Sequence, residues 1–169
     1  MKRSNGVVSV KYFILLLVVL PLFPMVAEAR APRIGEKIAA LSLPNLGGKQ
    51  ITTAAQGGKS LVVYFWTDAC GCREQLIELK SYVAGLKNRQ VIFLAVNAGQ
   101  EKSRVERFVA ETGIPYEVLL DEKSRVARDL FGVKVLPTIF IIDKNGILRE
   151  KLIGVVDTKK LQSLINRYL

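Results

Sequence analysis

Two cysteines, Cys70 and Cys72, are the residues of this chain best suited to covalent chemistry, and one residue separates them. The 169-residue sequence contains no histidine, which excludes Ser-His-Asp and Cys-His catalysis, histidine-ligated metals and a histidine proton switch. Two cysteines are also too few for a four-cysteine zinc site or for a scaffold held by several disulfides. What remains is thiol chemistry at one place, either disulfide exchange or binding of a soft metal by two thiolates.

The cysteines fall where a predicted strand passes into a predicted helix. Residues 61–66 form a continuous apolar run, rich in β-branched and aromatic side chains, which is typical of a strand buried on both faces of a sheet. From Cys72 onward, apolar residues recur at steps of three and four, which predicts an amphipathic helix. A helix N-terminus presents free N–H groups and a positive dipole end, and Arg73 adds a charge. We therefore expect a cysteine there to have a lowered pKa.

The rest of the chain predicts alternating strands and helices around these two elements. A hairpin over 41–43 and 50–52 comes first, and another hairpin turn at 144–146 adds an antiparallel edge. The further strands are predicted over 91–96, 116–120, 138–142 and 147–153, and the further helices around 105–109, 126–131 and 161–165. The alternation implies right-handed βαβ crossovers. It predicts an α/β fold in which a central mixed β-sheet carries helices on both faces.

The first 29 residues have the three parts of a secretory signal peptide. Three basic residues precede an uncharged apolar run over 12–27, and an Ala-Glu-Ala site follows at 27–29. The run is shorter than the roughly 20 residues that span a bilayer comfortably. We expect either cleavage after Ala29 or retention as an N-terminal membrane anchor. On both interpretations residues 30–169 form one working domain in the periplasm or another extracytoplasmic compartment.

The formal net charge is +10, from 25 lysines and arginines against 15 acidic residues. The bases are spread among acids at helix-surface spacings and do not form a patch interleaved with aromatics, so no nucleic-acid partner is predicted. We expect a solvated basic surface, of a kind that favours an anionic membrane surface or acidic partners.

Several features of the sequence together resemble the thioredoxin superfamily. They are Phe-Trp before the cysteines, Arg after them, the later Leu136-Pro137-Thr138 segment, and the closing hairpin and helix. Further features match one branch of it: the export signal, the N-terminal hairpin, the inserted helix and short strand, Ala95-Val96-Asn97 and Leu119-Leu120-Asp121. The chain thus resembles more closely the TlpA-like and ResA-like branch, whose members are extracytoplasmic thiol-disulfide oxidoreductases with a redoxin or AhpC-TSA-type domain. The resemblance covers roughly residues 33–169. It implies a thioredoxin-like fold with an N-terminal β-hairpin.

The same resemblance implies roles for particular residues. Cys70 aligns with the family's attacking cysteine and Cys72 with its resolving cysteine. The resemblance implies that Pro137 is a cis proline beside the thiols and that Leu136 offers its backbone to an extended substrate; the alternative is an ordinary edge-strand proline. Trp66 either packs in the sheet core or shapes the thiol pocket and contacts the substrate. The implied partners are protein thiols or disulfides, with apocytochrome c as one candidate, and a membrane-bound reductase. No organic cofactor is implied.

Two departures from the family pattern concern the redox step and proton transfer. One residue of the usual Cys-x-x-Cys is missing, and a disulfide across so short a step needs a distorted turn, which Gly71 permits. We expect that disulfide to be strained and more oxidising than a relaxed one. The family's acid after the second cysteine is Gln75 here, and the buried aspartate of ordinary thioredoxins falls at Tyr64. The candidates for proton transfer therefore reduce to Glu74, Asp68 and water.

Other functions of the cysteine pair remain alternatives to disulfide exchange. Two thiolates one residue apart can ligate Cu(I) or Hg(II) as a metallochaperone would, although the copper-assembly relatives of this fold typically use a wider spacing and a histidine. A thiol peroxidase is less favoured, because such enzymes typically place a threonine and a proline upstream of the cysteine, and residues 67–69 lack the proline. A purely structural disulfide here would close almost no loop and so add little stability.

Overall fold

The computed structural model describes residues 30–56, 58–69, 71–86 and 90–168. The predictions made for residues 1–29 and for the position of Cys70 lie outside the described residues. The strands are β1 (Ser42–Pro44), β2 (Gln50–Thr52), β3 (Ser60–Trp66), β4 (Val91–Ala98), β5 (Glu117–Asp121), β6 (Thr138–Ile142) and β7 (Leu148–Ile153). The α-helices are α1 (Cys72–Glu78), α2 (Lys80–Gly85), α3 (Lys102–Thr112) and α4 (Thr158–Arg167). In the described part of the chain, none of these helices has the length and apolar character that a bilayer span requires.

Five strands form one mixed sheet in the order β5-β4-β3-β6-β7. The central strand β3 runs parallel to β4 and antiparallel to β6. β5 extends the parallel side and β7 the antiparallel side, while β1 and β2 form a separate antiparallel hairpin. This is the mixed sheet with an antiparallel edge and an N-terminal hairpin that the sequence predicts. Because β3 is central, every one of its residues is buried, which explains its continuous apolar run.

The two faces of the sheet carry separate cores, because successive side chains of a strand point to opposite faces. Val62, Tyr64 and Trp66 of β3 face the core against which α1, α2, α3 and α4 pack. Val63 and Phe65 face the other core, which the N-terminal segment and the hairpin cover. The helix predicted over 126–131 is a short π-helical turn at Val126–Leu130, and it packs on this second core.

The amphipathic helix predicted after Cys72 forms as two consecutive helices, α1 and α2, with Leu79 between them. The φ and ψ angles of Leu79 are −74° and −10°, which lie in the right-handed helical region. The helix is therefore interrupted at this one residue and continues after it. The predicted apolar positions are all buried: Leu76, Leu79, Val83 and Leu86. Their burial fixes α1 on the sheet, and the first residue of α1 is Cys72.

Candidate functional site

The end of β3 and the start of β6 lie side by side at one edge of the sheet. Phe65 pairs with Thr138 in this antiparallel pair, which places the Leu136–Pro137 peptide next to the residues that follow β3. That peptide bond is cis. Cys72, a few residues after β3, is fully buried at the start of α1. The fold thus brings Pro137 and Cys72 to the same sheet edge.

The loop over residues 154–157, between β7 and α4, joins these two parts of the edge. The backbone N–H of Gly154 donates to the carbonyl of Pro137 at 2.8 Å. Cγ2 of Val155 lies 2.9 Å from the position that a Cβ atom on Gly71 would occupy. Gly71 itself has a φ of +32°, in the left-handed region that favours glycine. Conformation and lack of space therefore both require glycine between the cysteines.

A buried and uncharged hydrogen-bond bridge lies beneath the 154–157 loop. The hydroxyl of Tyr64 donates to Oε1 of Gln75 at 2.8 Å, and Nε2 of Gln75 donates to the carbonyl of Val156. Gln75 is only 2% exposed. The two positions where the resemblance leads one to expect acids thus hold a neutral pair whose side chains bind each other. No carboxylate of residue 64 or 75 is present to take part in proton transfer.

Asp68, a predicted candidate for proton transfer, belongs to a charged network on the side of α3. Its carboxylate accepts hydrogen bonds from Nε of Arg104 at 2.5 Å and from Nε2 of Gln100 at 2.5 Å. The hydrogen bond from Arg104 holds the pKa of Asp68 below its ordinary value. Asp68 therefore stays ionised at neutral pH and is poorly suited to donate or accept a proton there.

The other predicted site residues differ in how far they reach solvent. Glu74 is exposed on α1, in the cleft that Gly71 and the 154–157 loop also line. Trp66 is 0% exposed, and its ring centroid lies 4.4 Å from that of Phe108. Trp66 thus packs in the core of the sheet, and its contact with a substrate stays a prediction. Leu136 is partly exposed and Pro137 is buried.

Three exposed apolar side chains lie near this edge, and none of them was predicted from the sequence. Val135, Ile153 and Val155 are 53%, 62% and 59% exposed. Val135 precedes the cis peptide, Ile153 ends β7 beside Thr138, and Val155 covers Gly71. An apolar surface at a reactive edge suits contact with another protein. The alternation of Ile153 and Val155 about a glycine is the sequence signal that could have indicated it.

Among the residues that the structure describes, no group of three or more cysteine, aspartate or glutamate side chains is placed to hold a metal ion. The Cu(I) alternative needs the thiolates of both cysteines, and Cys70 is outside the described residues. Metal binding by the pair therefore remains a prediction of the sequence.

Comparisons with known proteins agree with the predicted resemblance. The AhpC/TSA family model matches residues 34–151. The chain is 27% identical over 136 residues to the thiol-disulfide oxidoreductase ResA of Geobacillus thermodenitrificans, covering 80% of this chain and 78% of that protein. It is 32% identical over 162 residues to the thiol:disulfide interchange protein DsbE of Pseudomonas fluorescens biotype C, covering 93% and 88%. A solved structure described as a DsbE thiol:disulfide interchange protein, from Chlorobium tepidum, has a TM-score of 0.71 at 27% identity over 79% of this chain and 97% of that one. These similarities confirm the thioredoxin-like fold.

Proposed function

The chain belongs to the AhpC/TSA family, and from this premise we propose that it exchanges disulfides with exported proteins outside the cytoplasmic membrane, through Cys70 and Cys72. Its relatives are named thiol-disulfide oxidoreductases, and this chain is a thiol-disulfide oxidoreductase as well. The observation that supports the proposed site is the placement of Cys72 at the start of α1, at the sheet edge that carries the cis Leu136–Pro137 bond.

The proposed reaction proceeds in two exchange steps. The Cys70 thiolate attacks one sulfur of a partner disulfide, and a mixed disulfide forms while the other partner sulfur leaves as a thiolate. Cys72 loses its proton and attacks the Cys70 sulfur, which forms the Cys70–Cys72 disulfide and releases the second partner thiolate. Two electrons pass from this protein to its partner. A membrane-bound reductase is the proposed source of the electrons that restore the two thiols, and the reverse direction would oxidise a partner dithiol.

Proton transfer in the second step has few candidates at this site. Asp68 is held as a carboxylate by Arg104, and the Tyr64–Gln75 pair is neutral and hydrogen-bonded. The exposed carboxylate of Glu74 and solvent water remain as proposed acceptors of the Cys72 proton.

The proposed partners are exported proteins whose disulfide lies in an accessible, apolar segment. Val135, Ile153 and Val155 support this choice, because they expose apolar surface beside the cis peptide and over Gly71. A chain that has not yet buried its own apolar residues offers such a segment, and apocytochrome c is one candidate. The basic surface and the apolar segment over 12–27 support a location at the outer side of the membrane.

A trapping experiment with the full chain tests both the site and the location. The Cys72→Ser variant lacks the resolving thiol, so we expect it to accumulate in cells as mixed disulfides through Cys70, with partners that carry export signals. The Cys70→Ser variant is the matched control and should trap nothing. Trapping through Cys70→Ser instead would reverse the two roles, and capture of cytoplasmic proteins alone would contradict the proposed location.

A further inference from the structure

We propose that Gln75 is a positioning residue, which fastens the 154–157 loop to the first turn of α1 and so holds Val155 over Gly71 as a fixed contact for protein partners. This inference rests on the proposed function, because the loop borders the proposed thiol site. It assigns to the neutral residue at this position a role in partner binding that does not involve proton transfer.

The 154–157 loop is anchored at its two ends and exposed in between. At one end Gly154 donates to the carbonyl of Pro137 at 2.8 Å. At the other end the side chain of Asp157 caps α4 by accepting from the N–H of Lys160 at 2.8 Å. Val155 between them is 59% exposed, so its own burial holds it only weakly. The hydrogen bond from Gln75 to the carbonyl of Val156 fastens the middle of the loop.

Gln75 can serve as an anchor because it is itself rigidly held. Its side chain is 2% exposed and its Oε1 accepts from the hydroxyl of Tyr64, which lies in the central strand and is fully buried. The amide must point its oxygen toward Tyr64 and its nitrogen toward Val156, since a flipped amide would place an acceptor against a carbonyl. Three elements, β3, α1 and the loop, are thereby joined through one side chain.

The bridge bears on partner binding through the position of Val155. The Cγ2 atom of Val155 is 2.9 Å from the Cβ position of Gly71, so the loop forms one wall beside the turn between the cysteines. A fixed wall lowers the entropy lost when a protein partner docks against it. A small disulfide needs no such contact, so release of the loop should raise KM for a protein disulfide and leave exchange with a small disulfide unchanged.

Two substitutions separate this role from a general structural one. In Gln75→Glu the protonated carboxyl keeps one acceptor for Tyr64 and one donor for Val156, but the ionised form has no donor and repels the Val156 carbonyl. Burial and the carboxylates of Glu74, Glu78 and Asp157 in the same cleft favour the protonated form of the introduced carboxyl. The hydrogen bond from the Tyr64 hydroxyl and the charge of Lys159 favour the ionised form. Gln75→Met is of similar size and lacks both hydrogen bonds at every pH.

The measurement is kcat and KM for reduction of insulin and of oxidised glutathione, each expressed as a ratio to the wild-type protein at the same pH. We expect Gln75→Glu to match wild type at low pH and to lose insulin affinity as pH rises through the pKa of the carboxyl, with a rise in KM of about 5- to 10-fold. Gln75→Met should show a similar rise at every pH. Gln50→Glu makes the same charge change at an exposed position of β2 and should show neither effect.

Several outcomes would overturn the positioning role. One is an unchanged insulin KM in both variants, and another is an equal loss of activity toward insulin and oxidised glutathione. If either variant fails to fold, Tyr64→Phe provides a second test, because it removes one support of Gln75 and should raise amide exchange at Gly154, the loop residue whose N–H donates to the carbonyl of Pro137. Unchanged exchange there would contradict the proposal. A wild-type chain that reduces neither substrate would instead refute the proposed function.

Discussion

The segment that carries the cysteines is held from two sides by networks of opposite character. On the side of α4, Tyr64, Gln75 and Val156 form a neutral bridge, and the two side chains are buried. On the side of α3, the Asp68 carboxylate accepts hydrogen bonds from the neutral amide of Gln100 and from the charged guanidinium of Arg104, and the Arg104 side chain is 61% exposed. Both networks connect a residue close to the cysteines with a distant element. The network on the α4 side is buried, whereas the network on the α3 side is exposed to solvent.

The contrast between a buried and an exposed network indicates which side controls the geometry of the site. A buried donor or acceptor that loses its partner cannot turn to water, so breaking a buried bridge costs its full desolvation. A surface ion pair loses little, because water and salt already compete with it. We therefore expect the α4 side to set the position of the loop around Gly71, and the α3 side to contribute charge more than rigidity.

The largest effect is expected from Tyr64→Phe, which removes the hydroxyl donor from the buried Oε1 of Gln75. Leaving that acceptor without its donor should lower the free energy of unfolding by about 1–3 kcal/mol. Urea denaturation followed by tryptophan fluorescence measures this change. If Tyr64→Phe and Asp68→Asn lowered the free energy of unfolding equally, the predicted difference between the α4 side and the α3 side would be wrong.

A smaller effect is expected from Asp68→Asn, which keeps the shape of the side chain but removes its charge. Because Arg104 lowers the pKa of Asp68 in the folded state, the stabilisation is present above the unfolded pKa and is lost as pH falls through the folded pKa. At neutral pH the variant should be less stable by about 0.2–1 kcal/mol. At pH values below the lowered pKa of Asp68 in the folded protein, the two proteins should have the same free energy of unfolding.

Urea denaturation at a series of pH values tests this dependence. If the difference in the free energy of unfolding between wild type and Asp68→Asn persisted at the lowest pH values, the carboxylate would act through packing and not through charge. Asp129→Asn is the matched control, because Asp129 also forms an ion pair, with Arg128, in an exposed position away from the cysteines. The quantity compared between the two variants is the free energy of unfolding at each pH.

The smallest effect is expected from Arg73→Gln, on the α3 side of α1. Its guanidinium pairs with Glu111 at 3.1 Å, with side chains 39% and 50% exposed, and its Cζ lies 5.3 Å from the centre of the Phe108 ring. We expect a loss of about 0.5 kcal/mol or less at low salt, which shrinks further in about 1 M salt. Thermal denaturation at two salt concentrations measures it, and a loss above that for Tyr64→Phe would reverse the comparison.

Most of the fold was predictable because the relevant patterns are local. The uninterrupted apolar run in β3 and the spacing of Leu76, Leu79 and Val83 indicate a central strand and a helix without knowledge of any distant contact. The helix predicted over 126–131 is only a π-helical turn, since periodicity over so few residues cannot distinguish a turn from a helix. The sequence left open whether Trp66 packs in the core or shapes the thiol pocket. Its burial against Phe108 depends on how α3 packs, and a role in the pocket stays a prediction.

Local periodicity and residue chemistry were enough to predict the alternation of strands and helices, a cysteine pair between a strand and a helix, and the absence of histidine chemistry. Other contacts become visible only in the folded chain: Gln75 binds Tyr64 and the Val156 carbonyl, Val155 covers Gly71, and Arg104 pairs with Asp68. The residues of these contacts are separated by 11 residues for Tyr64 and Gln75 and by 81 for Gln75 and Val156. Packing across the sheet brings such positions together, and no local pattern encodes the distance between them.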